Sequence, residues 1–193
     1  MTAEERRRQI FTIAANEFAT KGLQAASIDD IAAKAGVTQP YVFRLVKTKK
    51  ALFMALVDDA YESLTTGLRQ ASSNETGLNA VELMAPVYLD RLTDNTRLQL
   101  LLQGLAACAD AEIKEAMRKN YAQLWETVEE ITQLDPVAVK TFLGLGLFMS
   151  AAAALDLGEV DEKWARGART QVHGGLFEHI VQNSNRPPYS RKE

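Results

Sequence analysis

The apolar residues of this chain recur at helical spacing along nearly its whole length, and no stretch shows the alternation typical of a β-strand. Its 28 alanines and 23 leucines outnumber its 12 valines and 7 isoleucines. Alanine and leucine lose little side-chain freedom in a helix, whereas β-branched residues lose more, so this composition favours helices. The sequence therefore predicts an all-α fold of about nine helices.

The first 72 residues predict four helices, each beginning at a residue whose side chain can accept a hydrogen bond from a free helix amide. Thr2 and Glu5 have the S/T-x-x-E spacing in which two side chains satisfy two backbone amides reciprocally. Gly22 and Gly36 are suited to end the first two helices, and Pro40 suits the first turn of the third. The residues predicted to begin the four helices are Thr2, Ser27, Thr38 and Thr48.

Beyond a turn-rich stretch at residues 72–77, the periodicity predicts five more helices. Their limits are about 78–93, 96–109, 111–132, 137–156 and 161–182. The run from Phe142 to Leu157 is almost entirely apolar, but its 16 residues fall short of the roughly 20 needed to span a bilayer. We therefore expect a helix buried on most sides, no membrane span, and disorder in the polar tail 184–193.

Charge is distributed unevenly along the chain. Residues 1–50 contain nine lysines and arginines against five acidic residues, whereas residues 51–193 contain thirteen against twenty. A basic N-terminal segment on an acidic body predicts that only this segment contacts a polyanion. A solvated surface explains the same charges, so the imbalance alone does not decide between the two interpretations.

The second and third helices are short, follow a longer helix and are joined by a turn that contains Gly36, which is typical of a helix-turn-helix. In that motif one face of the third helix packs on the other two, and the opposite face enters a DNA groove. The residues of this region predicted to point inward are Val37, Val42, Leu45 and Val46.

The outward residues of the third helix carry groups that can read base edges. Arg44 can bind guanine O6 and N7 with two hydrogen bonds, Gln39 can pair with adenine, and an apolar or aromatic side chain can contact a thymine methyl. The residues predicted to contact bases are Gln39, Pro40, Tyr41 and Arg44. The residues predicted to contact phosphates are Ser27, Thr38, Lys47 and Lys49. The alternative is that these side chains only form an ordinary exposed surface.

The run 27–57, with the segment 18–23 before it, resembles the N-terminal domain of TetR-family transcriptional regulators. Three positions depart from the family pattern: Phe43 replaces a frequent tyrosine, Leu45 a frequent histidine or tyrosine, and Lys50 a frequent acid. We expect these departures to alter details of DNA contact and to leave the fold intact. The shared positions are Phe18, Gly22, Ser27, Ile31, Ala32, Ala35, Gly36, Val37, Thr38, the aromatic Phe43, Lys49 and Leu52.

The resemblance implies a helix-turn-helix DNA-binding domain at residues 1–47 and a ligand-binding and dimerisation domain at residues 48–183. The implied function is that of a ligand-released repressor that binds double-stranded DNA at a palindromic operator as a homodimer. In such a dimer, helices eight and nine pair with their copies as a four-helix bundle. Small residues permit this approach: Gly144, Gly146, Ala151, Ala152, Ala153, Ala154, Gly174 and Gly175. Burial of these helices inside a monomer is the alternative.

Family members commonly bind a small effector in a cavity among helices four to eight. Aromatic, methionine or polar residues that interrupt apolar faces are the candidates for its lining, although most such residues are plain core. The predicted lining residues are Tyr61, Met84, Tyr88, Gln103, Met117, Tyr121, Trp125 and Phe148. Their composition predicts a mostly apolar effector.

No pattern in the chain predicts catalysis, a resident cofactor or a metal site. It contains no glycine-rich phosphate loop, no G-x-S-x-G and no H-E-x-x-H. Cys108 is the only cysteine, and His173 and His179 are six residues apart and so fall on different faces of a helix. Without a signal-peptide pattern, we expect a cytoplasmic protein. The alternative function is a helical adaptor that acts through protein contacts and has lost DNA binding.

Overall fold

The computed structural model describes residues 2–93 and 95–170, the side chains of residues 88–93 excepted, and over these ranges it contains nine α-helices and no β-strand. The all-α prediction is confirmed. Helices α1 to α9 span Ala3–Ala25, Ile28–Ala35, Gln39–Leu45, Lys49–Ser72, Gly77–Thr93, Asn95–Ala106, Ala111–Thr132, Pro136–Ala154 and Lys163–Ala168. The ninth helix was predicted to continue to residue 182, but it ends at Ala168, and the described residues 169 and 170 are not helical. Residues 171–182 and the tail 184–193 lie outside the described residues.

Three of the four predicted capping residues accept the expected hydrogen bonds. Thr2 and Glu5 form the reciprocal cap of α1, in which the Thr2 amide donates to Glu5 Oε2 at 2.6 Å. The hydroxyls of Ser27 and Thr48 accept hydrogen bonds, at 3.2 and 3.0 Å, from the amides three residues further along the chain. Thr38 precedes α3, but its side chain makes no capping hydrogen bond.

The two glycines predicted to end helices have left-handed backbone dihedrals. At Gly22 the helical geometry of α1 is interrupted by φ +69°, and one further turn continues to Ala25. At Gly36, φ +65° ends α2, as predicted. A Cβ atom at Gly22 would lie 2.7 Å from Oε1 of Gln103, so the missing side chain also permits the close approach of α6 to α1.

The chain divides into two compact units, each assembled from two segments. The first unit consists of Met1–Leu64 and Arg91–Ala122, and the second of Thr65–Asp90 and Gln123–Glu193. Residue 47, where the sequence predicts a functional boundary, therefore lies inside the first unit. Compactness does not report on function, and the division into domains at that residue stays a prediction.

In the first unit, α1, α2, α3 and the start of α4 share one apolar core. Phe18 of α1 and Phe53 of α4 meet edge to face, with ring centroids 5.3 Å apart. Arg6 of α1 donates from Nη1 to the carbonyl of Ala35 at 2.7 Å, which ties α1 to the C-terminal end of α2. The other large side chains that are fully buried in this core are Ile10, Ile31, Val42 and Leu52.

A buried carboxylate joins α1 to α2. The side chain of Glu17 is 2% exposed, and its Oε2 accepts a hydrogen bond from Lys34 Nζ at 2.7 Å. Lys21 Nζ lies 2.5 Å from Oε1 and also pairs with Asp30 at 3.1 Å. Burial alone would raise the pKa of Glu17, but the contacts from Lys21 and Lys34 outweigh it and hold the pKa below the ordinary value of 4.5.

Because the folded pKa of Glu17 is lowered, its contribution to stability is present above about pH 4.5 and is lost as pH falls further. We expect Glu17→Gln to lower the free energy of unfolding by about 1–2 kcal/mol at pH 7, less than for a fully buried pair because both lysines are partly exposed. The difference from wild type should shrink towards pH 3. Thermal unfolding at both pH values checks this, with the exposed Glu115→Gln as the control that should change little.

In the second unit, α8 presents apolar side chains along one exposed side. Leu147 and Phe148 are each 49% exposed, and Val137, Gly144 and Ala151 are exposed at compatible helical positions. The predicted burial of this helix on most sides is therefore wrong, because nothing in the described chain covers this side. Gly146 and Ala152, by contrast, are buried.

Among the described helices, α8 alone is long and apolar enough to cross a membrane by length and composition. An 18-residue window of this 19-residue helix has a mean hydropathy of 1.7, and 39% of that window is buried in the protein. The core helix of a soluble protein meets the same criterion, so hydropathy alone does not distinguish a membrane span from a helix that packs against protein.

Candidate nucleic-acid interface

The short helix α3 is positioned by one fully buried side chain and by its two ends. Val42 packs into the core with no exposed surface, as predicted. Pro40 lies in the first turn and lacks an amide hydrogen, which removes one of the donors that the Thr38 hydroxyl could have capped. After Leu45 the backbone becomes extended at Val46, which ends the helix.

The residues predicted to contact bases lie on the solvent side of α3. Gln39, Pro40 and Arg44 are exposed, and Tyr41 is half-buried. The Arg44 guanidinium lies over the Tyr41 ring, 5.1 Å from its centroid, an arrangement that favours an extended arginine and leaves its donors free to turn outward. The structure thus brings these four side chains together on one short helix, and their contact with bases stays a prediction.

The residues predicted to contact phosphates fall into two groups. Thr38 and Lys47 are exposed. Ser27 and Lys49 already have partners inside the protein. Ser27 caps α2, and Lys49 Nζ donates at 3.1 Å to the carbonyl of Gln24 in the last turn of α1 and at 3.1 Å to that of Ala26 just after it. Lys49 therefore fastens the start of α4 to the turn before α2, whether or not it also contacts DNA.

Arg44 is flanked by two exposed apolar side chains. The periodicity of the sequence did not predict that either of them would be exposed. Phe43 is 37% exposed, and Leu45 is 36% exposed although the sequence predicted it to point inward. The prediction for Leu45 is wrong because α3 ends at that residue, so no further turn of helix covers it. α3 has only seven residues. The short length predicted for this helix was the feature of the sequence that could have indicated the exposure of Leu45.

Lys50, one of the departures from the family pattern, has acidic partners in the first unit. Its Nζ lies 3.1 Å from Asp110 Oδ2 and 2.7 Å from Glu112 Oε2, at the start of α7. Hydrogen bonds from the Ile113 amide and from Lys50 lower the pKa of Asp110. The contacts with Glu112 and Asp110 raise the pKa of Lys50. A basic residue at position 50 is thus matched by acids some 60 residues later in the chain.

The residues predicted to line an effector cavity differ widely in exposure. In the first unit, Tyr61 and Met117 are buried, Gln103 contacts the Gly22 region, and Tyr121 is 41% exposed. In the second unit, Met84 is buried, Trp125 is half-buried and Phe148 is exposed. The side chain of Tyr88 lies outside the described residues. A shared cavity lined by these residues stays a prediction.

No group of three or more His, Cys, Asp or Glu side chains within the described ranges could hold a metal ion. Cys108 donates weakly from Sγ to the Gly104 carbonyl at 3.4 Å, a local contact in the last turn of α6 and the residues after it. His173 and His179 lie outside the described part of the chain.

Comparison with known proteins extends the observations on the first unit. Residues 10–56 match the family model described as bacterial regulatory proteins, tetR family. The chain is 28% identical over 125 residues to the HTH-type transcriptional regulator YdgC of Bacillus subtilis, which covers 60% of this chain and 64% of that protein. It is 34% identical over 73 residues to the HTH-type transcriptional activator FasR of Mycolicibacterium smegmatis, covering 38% and 33% respectively. The chain thus spans less than two thirds of either relative.

The fold as a whole resembles a solved regulator. The TetR-family transcriptional regulator PfmR from Thermus thermophilus superimposes with a TM-score of 0.64, covering 97% of this chain and 100% of PfmR at 16% sequence identity. At that identity the likeness concerns the fold alone. The match at residues 10–56 includes the helix-turn-helix formed by α2 and α3, so this segment is similar to the corresponding segment of the tetR family of bacterial regulatory proteins.

Proposed function

We propose that this protein regulates transcription by binding duplex DNA through the exposed face of α3. The observation that carries the proposal is the set of side chains on that face: Gln39 and Arg44 are exposed, and no carboxylate in the described chain pairs with Arg44. Reading of base edges in the major groove needs exposed donors of this kind on a helix. The exposed Lys47 just beyond α3 adds a cation for the DNA backbone.

We also propose that the protein binds DNA as a homodimer through helices eight and nine. The support is the apolar side of α8, where Leu147 and Phe148 are half exposed at neighbouring positions. A second copy related by a two-fold axis would cover this side, because the same surface then serves both subunits. Two recognition helices would then reach half-sites about 34–36 Å apart or a multiple of that, which requires a palindromic operator.

The mode of regulation that we propose is repression relieved by a small, mostly apolar effector. Such an effector must bind the DNA-free conformation more tightly than the DNA-bound one, because equal affinity for both would not shift the equilibrium between them. Helix α4 begins at Lys49, directly after the helix-turn-helix, and continues past Tyr61. Lys49 and Tyr61 are about 18 Å apart along its axis. A coupling of about 1–3 kcal/mol along it would change operator affinity about 5- to 150-fold.

The alternative function is a helical adaptor in the cytoplasm that acts through protein contacts and has lost DNA binding. Selection of duplexes from a random-sequence pool distinguishes the two. We expect successive rounds with the purified protein to enrich an inverted repeat whose half-site centres are about 10 base pairs apart or a multiple of that. A pool that stays random after several rounds would overturn the proposal in favour of the adaptor.

A further inference from the structure

A groove in the first unit, lined by no residue of α2 or α3, has the size of a small-molecule site. It is formed by the N-terminal half of α1, the middle of α4 and the first turns of α6. Its volume is about 770 Å³, within the range of about 300–1,000 Å³ that is usual for such sites. It is open to solvent on one side, so a ligand could enter without unfolding any helix.

The floor of this groove is apolar. Leu56 of α4 is 6% exposed and Leu100 of α6 is 2% exposed, so both are fixed by packing beneath the groove. Phe11 of α1 is half-buried and adds an aromatic wall. A ligand that touches all three residues gains from burying its own apolar surface, which water or a simple ion cannot do.

Among the residues that the structure describes, the rim of the groove carries three arginines and two acidic residues. Arg8 lies 3.6 Å from Glu4, and Arg97 lies 3.9 Å from Asp59; both are long, exposed ion pairs of the kind that contributes little to stability. Each of these two ion pairs can therefore be exchanged for a contact with an anionic ligand at little cost.

Arg7 completes the rim and has no such partner. Its guanidinium lies over the Phe11 ring, 5.2 Å from the centroid, and no carboxylate in the described chain pairs with it. Stacking on the ring leaves the in-plane donors of the guanidinium available, and that fork matches a carboxylate or a phosphate. Among the rim residues that the structure describes, Arg7 thus offers a guanidinium without a carboxylate partner directly beside an aromatic wall.

We infer that this groove binds a small organic anion whose carboxylate or phosphate is held by Arg7 and Arg97 and whose aromatic or aliphatic body lies on Phe11 and Leu56. Both parts of the ligand follow from the observations. An inorganic ion would leave the apolar floor uncovered, and a neutral apolar molecule would forgo the charge-assisted hydrogen bonds that the Arg7 guanidinium can donate.

The test uses 1-naphthyl phosphate, which combines a dianionic headgroup with an aromatic body and is fluorescent. We expect saturable binding to the full chain by fluorescence anisotropy, with competition from 1-naphthoate. The anion that binds more tightly of the two identifies the headgroup. Arg7→Ala/Arg97→Ala should weaken binding at least about tenfold, since both charge-assisted contacts are lost. Arg118→Ala, an exposed arginine of the same unit outside the groove, should change it less than about twofold.

Four results would overturn the inference. Three of them are the absence of saturable binding of either naphthyl anion, equal binding of the neutral 1-naphthol, and equal competition by inorganic phosphate, which would mean that the apolar floor is not used. An equal loss in Arg118→Ala would also overturn it, because a general effect of positive charge would then explain the binding. If the double variant loses its helical circular dichroism, Arg7→Ala alone, at an exposed position, is measured in its place.

Discussion

Phe148→Asp should convert the proposed dimer into a monomer and lower operator affinity at least about a hundredfold. Burial of a phenylalanine stabilises an interface by about 1.5–3 kcal/mol, and in a two-fold dimer the residue is buried twice. The variant replaces both side chains by carboxylates that resist desolvation. Each monomer then binds one half-site without the tether that raises the affinity of a bivalent complex about 10²- to 10⁴-fold. Light scattering and a binding titration with the selected operator measure the two effects.

A matched control for this variant is Leu83→Asp. Leu83 is an apolar residue of α5 in the same unit, 42% exposed against 49% for Phe148, but it is not on the apolar side of α8. Its replacement should leave the dimer intact. Gly146 and Ala152 are poor sites for such a test, because both are buried in the chain and an aspartate there would disturb the fold itself. A wild-type protein that is monomeric at micromolar concentration would contradict the proposed dimer.

Arg44→Ala should weaken binding to the selected operator by about 1–3 kcal/mol, about 5- to 150-fold, and relax its sequence preference at one base pair of each half-site. The reason is that only guanine presents the two acceptors, O6 and N7, that an arginine can bind with two hydrogen bonds. Binding to random DNA should change much less. Competition titrations with operator variants at that base pair measure the loss of preference.

The contrasting variant is Lys47→Ala. The exposed Lys47 is predicted to contact a phosphate, so its loss should weaken binding to operator and random DNA alike and reduce the salt slope by about one unit. Lys49 is less suited to this comparison, because its ammonium also donates to backbone carbonyls at the C-terminal end of α1. If Arg44→Ala weakens both kinds of DNA equally, Arg44 does not read a base.

Local sequence patterns predicted most of the helix-turn-helix. The capping pattern at Thr2 and the glycine at 36 depend on neighbours within five residues, and both act in the structure as predicted. The burial of Val42 follows from periodicity in the same way. Leu45 departs from its prediction because periodicity assumes that a helix continues, and α3 ends at that residue.

Features that depend on distant segments gave no signal in the sequence. The partners of Lys49 lie 23 and 25 residues away, and the acid that receives a hydrogen bond from Lys50 lies 60 residues away. The groove joins Arg7 of α1 to Arg97 of α6, and nothing near either arginine in the chain indicates the other. The exposure of one side of α8 could not be predicted from the sequence either. An apolar run has the same pattern whether its own chain or a second subunit covers it.

We propose above all that α3 makes this protein a sequence-specific reader of duplex DNA. The most direct measurement is the ratio of affinities for the selected operator and for a scrambled duplex of the same composition, by fluorescence anisotropy at several salt concentrations. We predict a ratio of at least about 10³ at physiological salt, with both affinities falling as salt rises. Equal affinity for the two duplexes, or no binding to either, would contradict the claim.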